Sequence, residues 1–313
     1  PEGSDAMAPD PKDVIQKLGL LAIQSLTFAS RADADASEVT FAINAPESER
    51  TGLLALMDGA NDLSATPPAF VPADIAGFSR TRVDLKDVVT RVENLIKEIV
   101  PPVGGMLQFM MAGVGKDQDP QFDLRRDFIN QLGDDVITLV KAFDDATLEA
   151  VTSQQQLFLL GSPQPEKLQY ALGILSSMVP ADVFKKSERD YKGSAILSFE
   201  AQLPEEVQTP GFNGLHFATK EGYLAISTLS STLESFLTAE RVDRPLSRDP
   251  AFRAAAEANG GTDTGMLTYE NMRLTTAPLF DVLRTDESIR SIVDEALQNL
   301  IDDHAPVDPE AAA

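Results

Sequence analysis

One order of secondary-structure signals occurs twice along this chain, and that order constrains the fold more than any other feature. Near the N-terminus, Leu26-Thr27-Phe28-Ala29-Ser30 leads through a polar loop to Thr40-Phe41-Ala42-Ile43-Asn44. Both segments alternate apolar and polar residues, the pattern of strands with one buried face. A helical stretch with Leu53, Leu54, Leu56 and Met57 follows, then a strand at Gly77-Phe78-Ser79-Arg80 and a long amphipathic helix. Near the C-terminus, Leu215-His216-Phe217-Ala218-Thr219 turns at Lys220-Glu221-Gly222 into Leu224-Ala225-Ile226-Ser227. A helix, the strand Gly265-Met266-Leu267-Thr268-Tyr269 and another helix come next. The order is β-β-α-β-α both times. It predicts two like units, 23–96 and 213–284, with Phe28 matching Phe217, Ile43 matching Ile226 and Gly77 matching Gly265.

Hairpins dominate, and the strict βαβ alternation of a doubly wound fold is missing. The expected class is therefore α+β, with antiparallel sheets each packed by helices on one face. The expected domains are an N-terminal α+β unit over 12–145 and a C-terminal one over 146–304, with disordered tails at 1–11 and 305–313. Asp10-Pro11 is a good helix start, an N-cap acid before an N1 proline. Asp84 caps the clearest amphipathic helix, which carries Leu85, Val88, Val89, Val92, Leu95, Ile96 and Ile99 on one side and stops at Pro101-Pro102. The segment 58–74, rich in Asp, Pro, Ala and Ser, reads as a loop, as does 204–214. Further strands are expected at 136–143, 155–160 and 193–203, and further helices at 123–132, 163–178, 229–239, 250–258, 275–284 and 287–302.

A chain of 313 residues that is 43% apolar can bury a sizeable core without disulfide or metal staples. It has no cysteine, which excludes thiolate zinc sites, iron–sulfur ligation and cysteine catalysis. Against 49 acidic residues stand 26 basic ones, a formal charge of −23. Such a surface repels phosphate backbones and anionic lipid headgroups, so no nucleic-acid partner is expected. Lys185-Lys186 and Arg125-Arg126 are isolated basic pairs beside acids. No run reaches the roughly 18–20 apolar residues of a membrane span.

Few residues offer chemistry. Of the two histidines, His216 sits inside an expected strand and His304 at the end of the last expected helix. A strand histidine without a nucleophile elbow reads as structural. Adjacent acids at Asp134-Asp135, Asp144-Asp145 and Asp302-Asp303 point to opposite sides of an extended chain and read as solvated loop acids. Asp117, Asp119, Gln121 and Asp123 mimic the start of a calcium loop, but Phe122 and Phe128 stand where its glycine and bidentate acid belong. A turn capped by Asp123 accounts for them. Gly113-Val114-Gly115-Lys116 fails the phosphate-loop spacing at Met110 and Asp117. No catalytic residue, metal ligand or cofactor is assigned.

The remaining local feature is the cluster Met106, Phe109, Met110 and Met111, flanked by Pro101-Pro102 and Gly104-Gly105. Methionine-rich surfaces repack around varied apolar partners, so these four are the candidate ligand or partner contacts. A short core helix is the competing and favoured expectation.

Phe70-Val71-Pro72-Ala73-Asp74, Val83-Asp84-Leu85, Gln131-Leu132-Gly133-Asp134-Asp135 and Gly222-Tyr223-Leu224-Ala225-Ile226-Ser227 each run into a strand or helix. Together, over about 50–285, they resemble uncharacterised exported bacterial proteins with a repeated α+β body. The resemblance implies an extracytoplasmic, non-catalytic role, with an upstream export signal removed, and carries over no site residues. The expected function is a periplasmic or secreted binding or scaffold protein that contacts a protein or an apolar ligand. The alternative is a hydrolase using His216 or clustered carboxylates.

Overall fold

The computed structural model describes residues 10–32, 37–57, 64–143, 145, 147, 150–151, 153–180, 183–202, 212, 214–239, 242–287 and 290–291. The fold is α+β with two antiparallel sheets. Asp10 starts α1 (Pro11–Lys17), its carboxylate accepting from Lys12 N at 2.9 Å. A 3-10 turn leads into β1 (Ser25–Ala32) and β2 (Ser37–Asn44), which among the described residues pair only with each other. The stem of this ribbon is held by a small cluster of Ala22, Ala45 and Leu54 with Ile23. Residues 18–19 pass so close to 51–53 that only glycine fits at 19. Gly19 has φ +81°, and a Cβ there would lie 2.0 Å from Thr51 O.

The main sheet begins with β3 (Gly77–Arg82). Asp84 then caps α2 (Leu85–Ile99), and α3 (Pro101–Gly113) and the short α4 (Leu124–Asp127) follow. Strands β4 (Asp135–Val140) and β5 (Gln156–Gly161) lead to α5 (Pro165–Ser176). Two hairpins come next, β6 (Phe184–Tyr191) with β7 (Ser194–Ala201) and β8 (Gly214–Lys220) with β9 (Tyr223–Ser227). The chain continues through α6 (Ser230–Thr238), α7 (Pro250–Ala258), β10 (Met266–Glu270) and α8 (Met272–Thr285). The eight strands run β10-β3-β4-β5-β9-β8-β7-β6, every neighbouring pair antiparallel.

Alternation along these strands fills two cores. On one face Ile137, Leu159, Ile196, Ala218 and Ala225 meet Leu233 of α6 and Phe252 and Ala256 of α7. On the other, Leu197, Phe199, Phe217 and Leu224 meet Leu168 and Leu172 of α5 and Leu85 and Val89 of α2. Helices therefore cover both faces of one sheet, not one face of each of two sheets. Strands buried on both sides need no polar face, which is why successive positions are apolar at Ile196-Leu197 of β7 and Leu224-Ala225-Ile226 of β9.

The two expected units do not occupy like places. The ribbon β1–β2 stands apart, whereas the matching hairpin β8–β9 lies inside the main sheet. Strands β3 and β10, expected as equivalents, pair with each other, Phe78 opposite Tyr269. The main sheet thus runs across the expected boundary at 145/146. Strand β6 was not expected at all. Its sequence from Phe184 to Tyr191 is charged on both sides, as suits an exposed edge. The expected loop 58–74 is, over its described part, a strap across the first core. Val71 and Ile75 are buried in that core, and Leu246 N donates to Val71 O at 2.8 Å. The expected tails lie outside the described residues except Asp10 and Pro11, which start α1, and the helix expected at 287–302 is described only at 287 and 290–291.

Candidate functional site

Helix α3 begins at consecutive prolines, which supply the fixed φ of a first turn and lack N–H groups that would go unpaired there. It folds back against α2 at Gly104. A Cβ at that position would lie 2.5 Å from Lys97 Cγ and 2.7 Å from Lys97 Cα, so glycine sets the approach of the two helices. Gly104, Leu107 and Met111 form the side turned inward, at helical spacing. Val103, Met106, Phe109 and Met110 form the opposite side and are exposed, Phe109 to 83% and Met106 to 58%. The core-helix expectation fails for these residues. The segment is helical, but three of the four candidate contacts face solvent and only Met111 is half-buried.

Met111 opens on a cleft of about 430 Å³ between α3 and α4, shared with Gln108, Asp123, Leu124, Arg125 and Arg126. Its far wall is ionic. Arg125 pairs with the buried Glu93 of α2, and Arg126 forks onto Asp127 at 2.7 and 2.6 Å. The Arg126 hydrogen bond holds the Asp127 carboxyl below its usual range. Asp123 caps α4, accepting from Arg126 N at 2.7 Å, and Asp119 accepts from Gln121 N and Tyr170. Two of the acids that mimic a calcium loop, Asp119 and Asp123, thus serve as turn and cap acceptors. The apolar surface lies outside this cleft, on the solvent side of α3.

His216 is 3% exposed, directly opposite Ser198 on β7 and Ser227 on β9. Its Nδ1 lies 2.8 Å from Ser198 Oγ, and Ser227 donates to Gln156 O. A histidine–serine pair is thus present, but both members are buried inside the sheet, and neither lines the cleft between α3 and α4. Burial pushes the imidazole below its ordinary pKa. The pair satisfies polar groups between layers. His304, Asp144 and Asp302-Asp303 lie outside the described residues.

Of the pair Asp134-Asp135, Asp134 precedes the strand with its side chain 47% exposed, whereas Asp135 is not a solvated loop acid. Asp135 is 7% exposed and accepts from Arg80 Nε at 2.8 Å, Arg80 Nη2 at 2.6 Å and Tyr223 Oη at 2.7 Å. Arg82 reaches Asp134 at 2.8 Å. Arg80 also donates to Thr66 O, tying the strap to the sheet. Burial, then the Asp135 carboxylate, drives the Tyr223 phenol well above its ordinary pKa. The signal in the sequence was Arg80-x-Arg82, two cations on one side of a strand. Comparison with known proteins finds no matching family model, no similar curated protein and no similar solved structure.

Proposed function

We propose that this chain is a non-catalytic binding or scaffold protein that engages a protein partner through the outer side of α3, outside the cytoplasm. The observation that carries the reading is a helix, Pro101–Gly113, that carries no charged residue and leaves Val103, Met106, Phe109 and Met110 exposed, in a chain of net charge −23. A helix apolar all round belongs in an interior, and one left in water marks an interaction surface. Phe and Met are the side chains that anchor protein interfaces. A protein fits this surface better than a small apolar ligand, because the cleft beside α3 has an ionic wall while the apolar stripe is convex. Placement outside the cytoplasm rests on the resemblance over 50–285 alone.

The test uses an environment-sensitive apolar dye and thermal melts. At a concentration low enough to keep the chain monomeric, Met106→Ser/Met110→Ser and Phe109→Ser should lower dye binding while costing under about 1 kcal/mol of stability, as for surface positions. A loss of roughly 2–5 kcal/mol, the cost of truncating buried methionines, would return α3 to the core. Dye binding unchanged by the substitutions would remove α3 as the contact surface.

A further inference from the structure

Among the described residues, exposed apolar side chains line α3, the β1–β2 ribbon and α8, where Met272, Leu279, Phe280 and Leu283 share a helix with Arg273, Asp281 and Arg284; only α3 and one face of the ribbon are free of charge. In the β1–β2 ribbon, Leu26 lies opposite Ile43, Phe28 opposite Phe41 and Ser30 opposite Val39, all on one face. The other face carries Thr27, Ala29 and Arg31 opposite Ala42, Thr40 and Glu38. Every described residue of both strands is exposed, Phe28 to 70% and Phe41 to 63%. A lone two-stranded ribbon is marginal in water and needs a surface beneath its apolar face. Helix α3 lacks a cover and the ribbon lacks a support. An eight-residue strand spans about 26 Å and a thirteen-residue helix about 20 Å, so the two faces match in length.

Resting on the binding reading above, we infer that the partner is a second copy of this chain, the ribbon of each copy lying across α3 of the other. A twofold dimer covers α3 and the ribbon of both copies at once, as a closed symmetric interface does. The charge distribution fits. Each copy carries −23, so two copies repel wherever their acids face each other. The six inward ribbon positions and the 101–115 segment carry no charge, which makes these faces the place of close approach. The area suffices. Five exposed apolar side chains on the ribbon and four on α3, each contributing on the order of 100 Å², reach the roughly 800 Å² per partner of a standard interface.

The chain has no native cysteine, so engineered ones report without background. Ser30→Cys lies on the apolar face of the ribbon, and Gly113→Cys sits in open space at the end of α3. Light scattering of the wild-type chain should show mass doubling from low to high micromolar concentration. Phe28→Thr and Phe109→Ser should each raise the dimer dissociation constant at least tenfold, with unchanged melting of the main fold at low concentration. Mixing the two single-cysteine chains under mild oxidation should give a mixed disulfide dimer. A monomer at every concentration overturns the second copy. If Phe109→Ser still lowers dye binding in that monomer, the binding reading survives, and if it leaves it unchanged, both readings fall. Rapid intrachain cross-linking of a Ser30→Cys/Gly113→Cys chain at monomer mass would show the ribbon folding onto its own helix, against the inference. Flotation of a monomeric chain with phosphatidylcholine vesicles would assign the surface to lipid and also overturn it.

Discussion

Substituting Asp135 with Ala tests how the two halves of the chain are joined. Its carboxylate receives a two-pronged donation from Arg80 at 2.8 and 2.6 Å and a third bond from Tyr223 at 2.7 Å. The side chains of Arg80 and Asp135 are only 13% and 10% exposed, so solvent cannot screen the pair as it does at a surface. Forming such a pair gains little net stability, because removing both charges from water offsets their attraction. Breaking it is different. Asp135→Ala leaves a buried guanidinium and a buried phenol without their acceptor, at a cost of about 3–5 kcal/mol. At roughly 2 °C per kcal/mol for a chain of this size, the melting temperature should fall by about 6–10 °C. Replacing both charges, Arg80→Met with Asp135→Leu, should cost much less than Asp135→Ala alone. Calorimetry of the two single variants and the double variant gives the coupling. A loss below about 1 kcal/mol for Asp135→Ala, or strict additivity in the double variant, would refute the buried-pair reasoning.

Tyr223 keeps its proton in the folded chain past its ordinary pKa of 10.0, so its contribution is whole below that pH and declines as pH rises above it. Alkaline melts should steepen there, and Tyr223→Phe should flatten the slope; an unchanged slope would assign it to other groups. His216 lies below its ordinary 6.5, so the unfolded chain protonates first on acidification. Its stabilisation is present above 6.5 and fades as pH falls through the folded value; His216→Gln should reduce the acid slope and leave the dye binding of α3 intact. Gly104→Ala should destabilise the α2–α3 corner, since its Cβ would meet the Lys97 backbone, whereas Gly105→Ala enters open space and should stabilise by up to about 1 kcal/mol. Equal melting shifts for these two neighbours would contradict the close helix approach.

What the sequence made legible follows from where each signal originates. Helix α2 was legible because its cap, its apolar spacing and its stop are all local. The hairpin β8–β9 was legible for the same reason. Strand β6 was missed because an edge strand exposed on both faces has no alternation to detect, and Lys185-Lys186-Ser187-Glu188-Arg189-Asp190 satisfies its edge by charge. The strap was missed because Pro68, Pro72 and nearby small residues suppress regular structure while Val71 and Ile75 still bury. Asp135 was misread because its burial depends on Arg80, 55 residues earlier, and on Tyr223, 88 residues later. Local pattern does not report which strands will lie side by side.

The ribbon shows the same limit from the opposite side. Its alternation states that one face should be buried, and as a statement of chemical demand that reading was sound. Within one copy the face stays open, with Phe28 and Phe41 opposite each other in solvent. Helix α3 presents the same contradiction, since its composition asks for an interior and its position denies one. Two independent segments that each resemble core and yet lie exposed have a common physical resolution, which is a contact outside the single chain. The segments differ in type, one a sheet face and one a helix face, and sheet–helix packing is how the rest of this molecule fills its two cores. An interface built from them would repeat the packing of α5 on β8 and β9, with the helix supplied by another copy. The dimer inference therefore requires no mode of packing that the fold does not already use.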